Sequence, residues 1–133
     1  MRRLIDVSVV VKWIVPEADS ALASSWQGLP LAAPDFLLIE LANALWKKVQ
    51  QGQASPEQAL AGIIQVKSSI DLMPVSGLEL RALEIGLALN HPVYDCVYLA
   101  LAEALETRIV TADKRLIRCC AGSEFERLVE PLA

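Results

Sequence analysis

Short apolar runs alternate along the chain with longer stretches whose apolar residues recur every three or four positions. The runs LIDV (4–7), LAA (31–33), DLMPV (71–75), RIVT (108–111) and LVE (128–130) predict strands. The central runs lack polar alternation, as parallel strands covered on both faces do. Helices are predicted near residues 9–15, 18–27, 35–51, 56–69, 77–89, 93–105 and 113–121. Two helix starts carry a capping box: Ser55-Pro56-Glu57-Gln58, with proline at the first helical position, and Ser76-Gly77-Leu78-Glu79. Asn90-His91-Pro92 reads as a stop and restart, and Gly122 as a helix end. No repeat, low-complexity tract or linker interrupts the pattern. The alternation predicts one domain over residues 1–133, an α/β sandwich with a mostly parallel sheet.

Four acids break this apolar pattern: Asp6 in LIDVS, Glu40 in LLIELAN, Asp95 in HPVYDCVYLALAE and Asp113 in IVTADKRL. Burying a lone ionised carboxylate costs several kcal/mol unless it is paired, binds a metal or takes up a proton. In an open parallel sheet, ligands bind beyond the carboxyl ends of the strands, where strand order reverses. Asp6 ends the first strand and Asp113 follows RIVT, so both belong to that rim. Glu40 lies one to two turns into its helix, with Asn43 three residues on along the same face. Asp95 opens a helix of its own.

Taken singly, each acid has an ordinary explanation. Asp6 and Asp113 suit helix caps, and Glu40 and Asp95 suit ion pairs with Lys or Arg. Taken together they predict convergence on one pocket. Two carboxylates about 4 Å apart repel by roughly 4 kcal/mol at an effective dielectric of about 20. A hard divalent cation offsets that repulsion, and an all-oxygen set without His or Cys suits Mg²⁺ or Mn²⁺. Such a centre serves phosphodiester hydrolysis by activating water and neutralising charge on the phosphate. Ser8 and Thr111, each two residues from an acid, are candidates for supporting hydrogen bonds, though ordinary turn hydroxyls explain them equally well.

The net charge of −4 gives no overall basic field for a polyanion. Lys12, Lys47, Lys48, Arg115 and Arg118 offer a local RNA path, although plain solvated charges account for them. Apolar residues make up 54% of the chain, above the usual roughly 45–50%. The excess implies an oligomer interface or a groove for a partner. Trp13, Trp26 and Trp46 are expected mainly in the core, with one or two free to anchor a partner. Charges interrupt every apolar run before the roughly 20 residues of a membrane span, and Asp6 and Lys12 break the faint signal-peptide pattern after MRR. A soluble cytoplasmic protein is expected. Cys96, Cys119 and Cys120 match no zinc spacing and read as reduced, buried or half-buried thiols. His91, the single histidine, precedes a proline and leaves little room for a histidine-based triad.

Four segments resemble the PIN-domain family, specifically VapC-type toxin ribonucleases of toxin–antitoxin pairs. LIDVSVVVKWIVPEADSALA resembles the family's opening, with its Asp-x-Ser, and APDFLLIELANALWKKVQQGQ the glutamate segment. HPVYDCVYLALAE resembles the segment of the third acid, and IVTADKRL the closing strand with Thr-x-Asp. The resemblance runs nearly end to end. It implies a three-layer α/β/α sandwich with strand order 3-2-1-4-5, which brings strands one and four together. It makes Asp6, Glu40, Asp95 and Asp113 the acidic quartet binding Mg²⁺ or Mn²⁺, with Asp6 and Asp95 as first choice for direct ligands. Ser8, Asn43 and Thr111 take supporting places. It also implies RNA hydrolysis by metal-activated water, a homodimer and a cognate antitoxin. The alternatives are a PIN-like module that binds RNA or a partner without catalysis, and a Mg²⁺-dependent phosphatase. A phosphatase of the haloacid-dehalogenase kind wants a second Asp where Ser8 stands.

Overall fold

β1 (Arg3–Ile5) is the central strand of a sheet whose order is β3-β2-β1-β4-β5 in the computed structural model, which describes residues 2–133. The other strands are β2 (Leu31–Pro34), β3 (Asp71–Met73), β4 (Ile109–Thr111) and β5 (Val129–Pro131). All four pairings are parallel, with Leu4 opposite Ala32 on one side and Ile109 on the other. Leu4, Ile5, Ala32, Ala33, Ile109 and Val110 are wholly buried, which is why these runs show no polar alternation.

Among the described residues seven α-helices flank the sheet: α1 (Val7–Ile14), α2 (Ser20–Ser24), α3 (Leu37–Gln50), α4 (Pro56–Ser69), α5 (Glu79–Leu89), α6 (Val93–Ala104) and α7 (Lys114–Cys120). Parallel crossovers are right-handed, so helices connecting β1 to β2 to β3 lie on one face and those after β3 on the other. The packing agrees, because α1, α3 and α4 touch one another while α5 packs on α6. This is the three-layer sandwich with the expected strand order.

Several boundaries differ from the sequence reading. β1 stops at Ile5, because Asp6 is extended (φ −105°, ψ 175°) and caps α1, which makes Val7 helical. The box at Ser55 forms, with Gln58 N donating to Ser55 Oγ at 3.1 Å and Ser55 N donating to Gln58 Oε1 at 3.4 Å. The expected box at Ser76 does not form. Gly77 sits at φ +98°, so α5 starts only at Glu79, whose carboxylate accepts from Gly77 N. α2 is shorter than expected because Asp19 takes a left-handed conformation, φ 63°. α3 begins at Leu37, which puts Glu40 in its first turn. Trp46 is the tryptophan left at the surface, 59% exposed, whereas Trp13 and Trp26 pack half-buried against the core.

Asn90 ends α5 at φ 52°, and His91 N then donates to Gly86 O at 3.1 Å. A Cβ on Gly86 would lie 3.0 Å from the His91 carbonyl oxygen, so the glycine lets this turn close over α5. The closure sets where α6 begins.

Candidate active site

The order reverses between β1 and β4, so the crevice at their carboxyl ends is the expected ligand position. Asp6 follows β1 and Asp113 follows β4, and α3 and α6 bring their N-terminal turns to the same edge. Asp6 is 7% exposed. Its Oδ1 accepts from Ser8 N at 3.1 Å and Ser8 Oγ at 2.5 Å, and its Oδ2 accepts from Thr111 Oγ1 at 2.5 Å. Thr111 Oγ1 in turn accepts from Asp113 N at 3.0 Å, and Ser8 Oγ from Ala112 N at 2.9 Å. The two hydroxyls thus hold Asp6 and tie the end of β4 to it. Asp113 Oδ1 caps α7, accepting from Arg115 N at 3.0 Å and Leu116 N at 3.3 Å. Both aspartates are therefore helix caps as well as rim acids, and the two explanations coexist.

Glu40 and Asp95 form the second pair, and neither finds a Lys or Arg among the described residues. Glu40 Oε1 accepts from the Tyr98 hydroxyl at 2.6 Å, and Asp95 Oδ2 lies 2.7 Å from His91 Nε2. His91 and Tyr98 are both buried. Sequence reasoning missed both partners. No local signal gave them: His91 precedes α6 and so lies outside its helical spacing, and Tyr98 meets Glu40 only across elements, from α6 to α3. Asn43 is exposed and shares a hollow with Glu40, but among the described residues it makes no hydrogen bond to any of the four acids. Lys12 and Lys48 are committed to Glu17, at 3.1 and 2.7 Å, while Lys47, Arg115 and Arg118 stand exposed.

Burial pushes the Asp6 carboxyl up to about 7, the charge of Asp113 adding to the effect against the hydrogen bonds from Ser8 and Thr111. Burial also raises Glu40, with the charge of Asp95 adding and the Tyr98 bond opposing. Tyr98 is held far above its ordinary range by burial and by Glu40, so it stays a donor. It also feels Asp6 and Asp95, which places it among the acids.

Among the described residues, no three His, Cys, Asp or Glu side chains close into a ready-made metal cage. The acids instead stand as two pairs of hard oxygen donors. That set fits Mg²⁺ or Mn²⁺, because Mg²⁺ is usually held by one or two carboxylates and keeps several waters. The buried Asp6, whose charge is disfavoured alone, is the donor a cation would stabilise most.

The sequence profile described as "PIN domain" matches residues 3–121. Ribonuclease VapC3 of Pyrobaculum aerophilum is 29% identical over 98% of this chain and all of its own length. A solved Pyrobaculum aerophilum structure superposes with a TM-score of 0.74 at 22% identity, covering 99% of this chain and 84% of that one. VapBC-5 of Mycobacterium tuberculosis, from a toxin–antitoxin family, superposes with a TM-score of 0.60 at 19% identity, covering 98% and 96%. At those identities the two structures speak to the fold alone.

Proposed function

The chain belongs to the PIN-domain family, and from that premise we propose that it is one PIN domain acting as a divalent-metal-dependent ribonuclease, the toxin of a toxin–antitoxin pair. The observation carrying this reading is the Asp6 carboxylate, buried and fixed by Ser8 and Thr111 at the strand-order reversal, with three further acids at the same edge. Asp6 and Asp95 would hold Mg²⁺ or Mn²⁺ directly. Glu40 and Asp113 complete the acidic field, and Asn43 stands at its rim. A bound cation supplies an activated water at neutral pH and offsets charge growing on the phosphate.

The chain's own residues fix the geometry. Ser8 and Thr111 hold both oxygens of Asp6, so its carboxylate cannot swing. His91 holds one oxygen of Asp95 and Tyr98 one oxygen of Glu40, and the other oxygen of each has no hydrogen-bond partner among the described residues. The VapC names of relatives support an antitoxin partner, and exposed apolar side chains such as Trp46, Ile64 and Leu87 give it and a second copy surface to cover. We place the protein in the cytoplasm; no described helix is long and apolar enough to cross a membrane. The role is tested by inducing the gene in a bacterial host, alone and with its neighbouring small reading frame. Growth should stop with the gene alone and resume when the neighbour is co-expressed and co-purifies. Normal growth with the gene alone contradicts the toxin role.

A further inference from the structure

Outside Glu40 the surface opens into a hollow of about 550 Å³ lined by Phe36, Ile39, Glu40, Asn43 and Tyr94. Tyr94 is 72% exposed, an unusual position for an aromatic ring on a helix. The ring is nevertheless held. Phe36 meets it edge-on, with centroids 5.8 Å apart and planes at 87°. Phe36 meets Tyr98 in the same manner at 5.7 Å and 80°, and Tyr98 donates to Glu40. One aromatic chain therefore runs from a half-buried acid to an exposed ring.

We propose that this hollow is a nucleobase shelf, on which a base flanking the scissile phosphate of single-stranded RNA stacks against Tyr94. The proposal rests on the ribonuclease reading and adds to it a substrate subsite. Charge is the first argument for a base as occupant. The chain carries −4 overall, and Arg2, Arg3, Arg81, Arg108 and Arg127 all pair with carboxylates. Lys12 and Lys48 are likewise committed to Glu17. Exposed Lys114 and Arg115 begin α7 just after Asp113, where they can meet a phosphate, and exposed Lys47 stands one turn beyond Asn43 on α3, but no cation lines the hollow itself. Within the hollow an RNA strand needs a hold that does not depend on charge. Stacking on an aromatic face supplies one, and it is open only to unstacked bases.

The lining is the second argument. Ile39 adds an apolar side chain to the lining, and the Asn43 amide offers both a donor and an acceptor to a base edge. Asn43 thereby gains a role that its lack of contact with the other acids otherwise leaves open. Tyr94 gives affinity with little sequence preference, and Asn43 tunes the choice of base.

The test uses the Asp6→Asn protein with Mg²⁺, which leaves the hollow intact, and short single-stranded RNAs carrying a fluorescent aminopurine at successive positions. Stacking should quench the probe at one position. Tyr94→Leu should abolish the quench and weaken binding roughly tenfold, while Tyr94→Phe and Tyr94→Trp keep both. Asn43→Ala should keep the quench and alter the ranking of bases. In the otherwise unaltered enzyme, Tyr94→Leu should raise KM and spare kcat. Unchanged quenching and affinity in Tyr94→Leu, or no position quenched, overturns the shelf. So does a Tyr94→Leu protein that changes only its oligomeric state or its hold on a protein partner, since the face is then a protein interface. RNA that stacks but is never cut removes the nuclease reading and keeps the shelf; RNA cut with normal kinetics by Tyr94→Leu removes the shelf alone.

Discussion

His91 Nε2 lies 2.7 Å from Asp95 Oδ2, and both groups sit where the chain turns from α5 into α6. The acid that opens an apolar helix is held by the chain's single histidine, itself clamped by the close packing of Gly86. Removing the ring frees Asp95 and empties a buried position. His91→Ala should cut RNA about 10–100-fold more slowly and lose about 1–3 kcal/mol of stability, read by cleavage rates and urea melts. His91→Gln, which keeps a donor, should recover part of the rate. A wild-type rate in His91→Ala would show that Asp95 needs no such hold.

Tyr98→Phe isolates the second contact. The ring stays against Phe36, and only the 2.6 Å bond to Glu40 is lost. Stability should change by no more than about 1.5 kcal/mol, because one hydrogen bond is removed from a retained packing unit. Cleavage should fall about tenfold or more, since the carboxylate loses its orienting donor. Equal loss in Tyr98→Phe and Tyr98→Leu would instead assign the effect to the ring.

The metal-free protein should become less stable as pH rises from about 4 to 7. Asp6 has a folded pKa of about 7 against an ordinary 3.8. Between these values the folded state keeps a proton that the unfolded state has lost, so rising pH favours unfolding. The loss reaches a few kcal/mol, about 4 at most, by pH 7. Asp6→Asn carries no such charge, so its denaturation midpoint should stay flatter with pH. A midpoint for the wild type that climbs across this window, relative to Asp6→Asn, would contradict the burial account.

Mg²⁺ or Mn²⁺ should raise the melting temperature of the wild type, since the ion binds only the assembled site. Protons compete for the same carboxylates, so the gain should grow with pH over the same window. It should shrink in Asp6→Asn. Equal gains in both proteins would place the ion elsewhere.

Much of this was legible in the chain itself. Fully apolar strand runs and the spacing of helical stretches lead to a parallel sheet, because covered strands have no polar face to show. The four acids were visible as interruptions of that pattern. What a side chain touches across elements was not. Tyr98 reads as one more apolar-compatible residue of α6 until α3 brings Glu40 to its hydroxyl. His91 reads as a turn residue until the chain folds its ring onto Asp95. The Ser76 capping pattern fails because Gly77 takes a positive φ that a motif does not reveal. Trp46 stays exposed because the helical period, not the residue type, turns it outward.

The central claim is that the acids at the β1/β4 edge cut RNA only with a divalent ion. It is tested most directly by incubating purified protein with single-stranded RNA in Mn²⁺, with and without a chelator, alongside Asp6→Asn and Asp95→Asn proteins of verified fold. Cleavage by the wild type in Mn²⁺, abolished by the chelator and by either substitution, is the predicted result. Undiminished cleavage in the chelator, or in Asp6→Asn, would contradict the account.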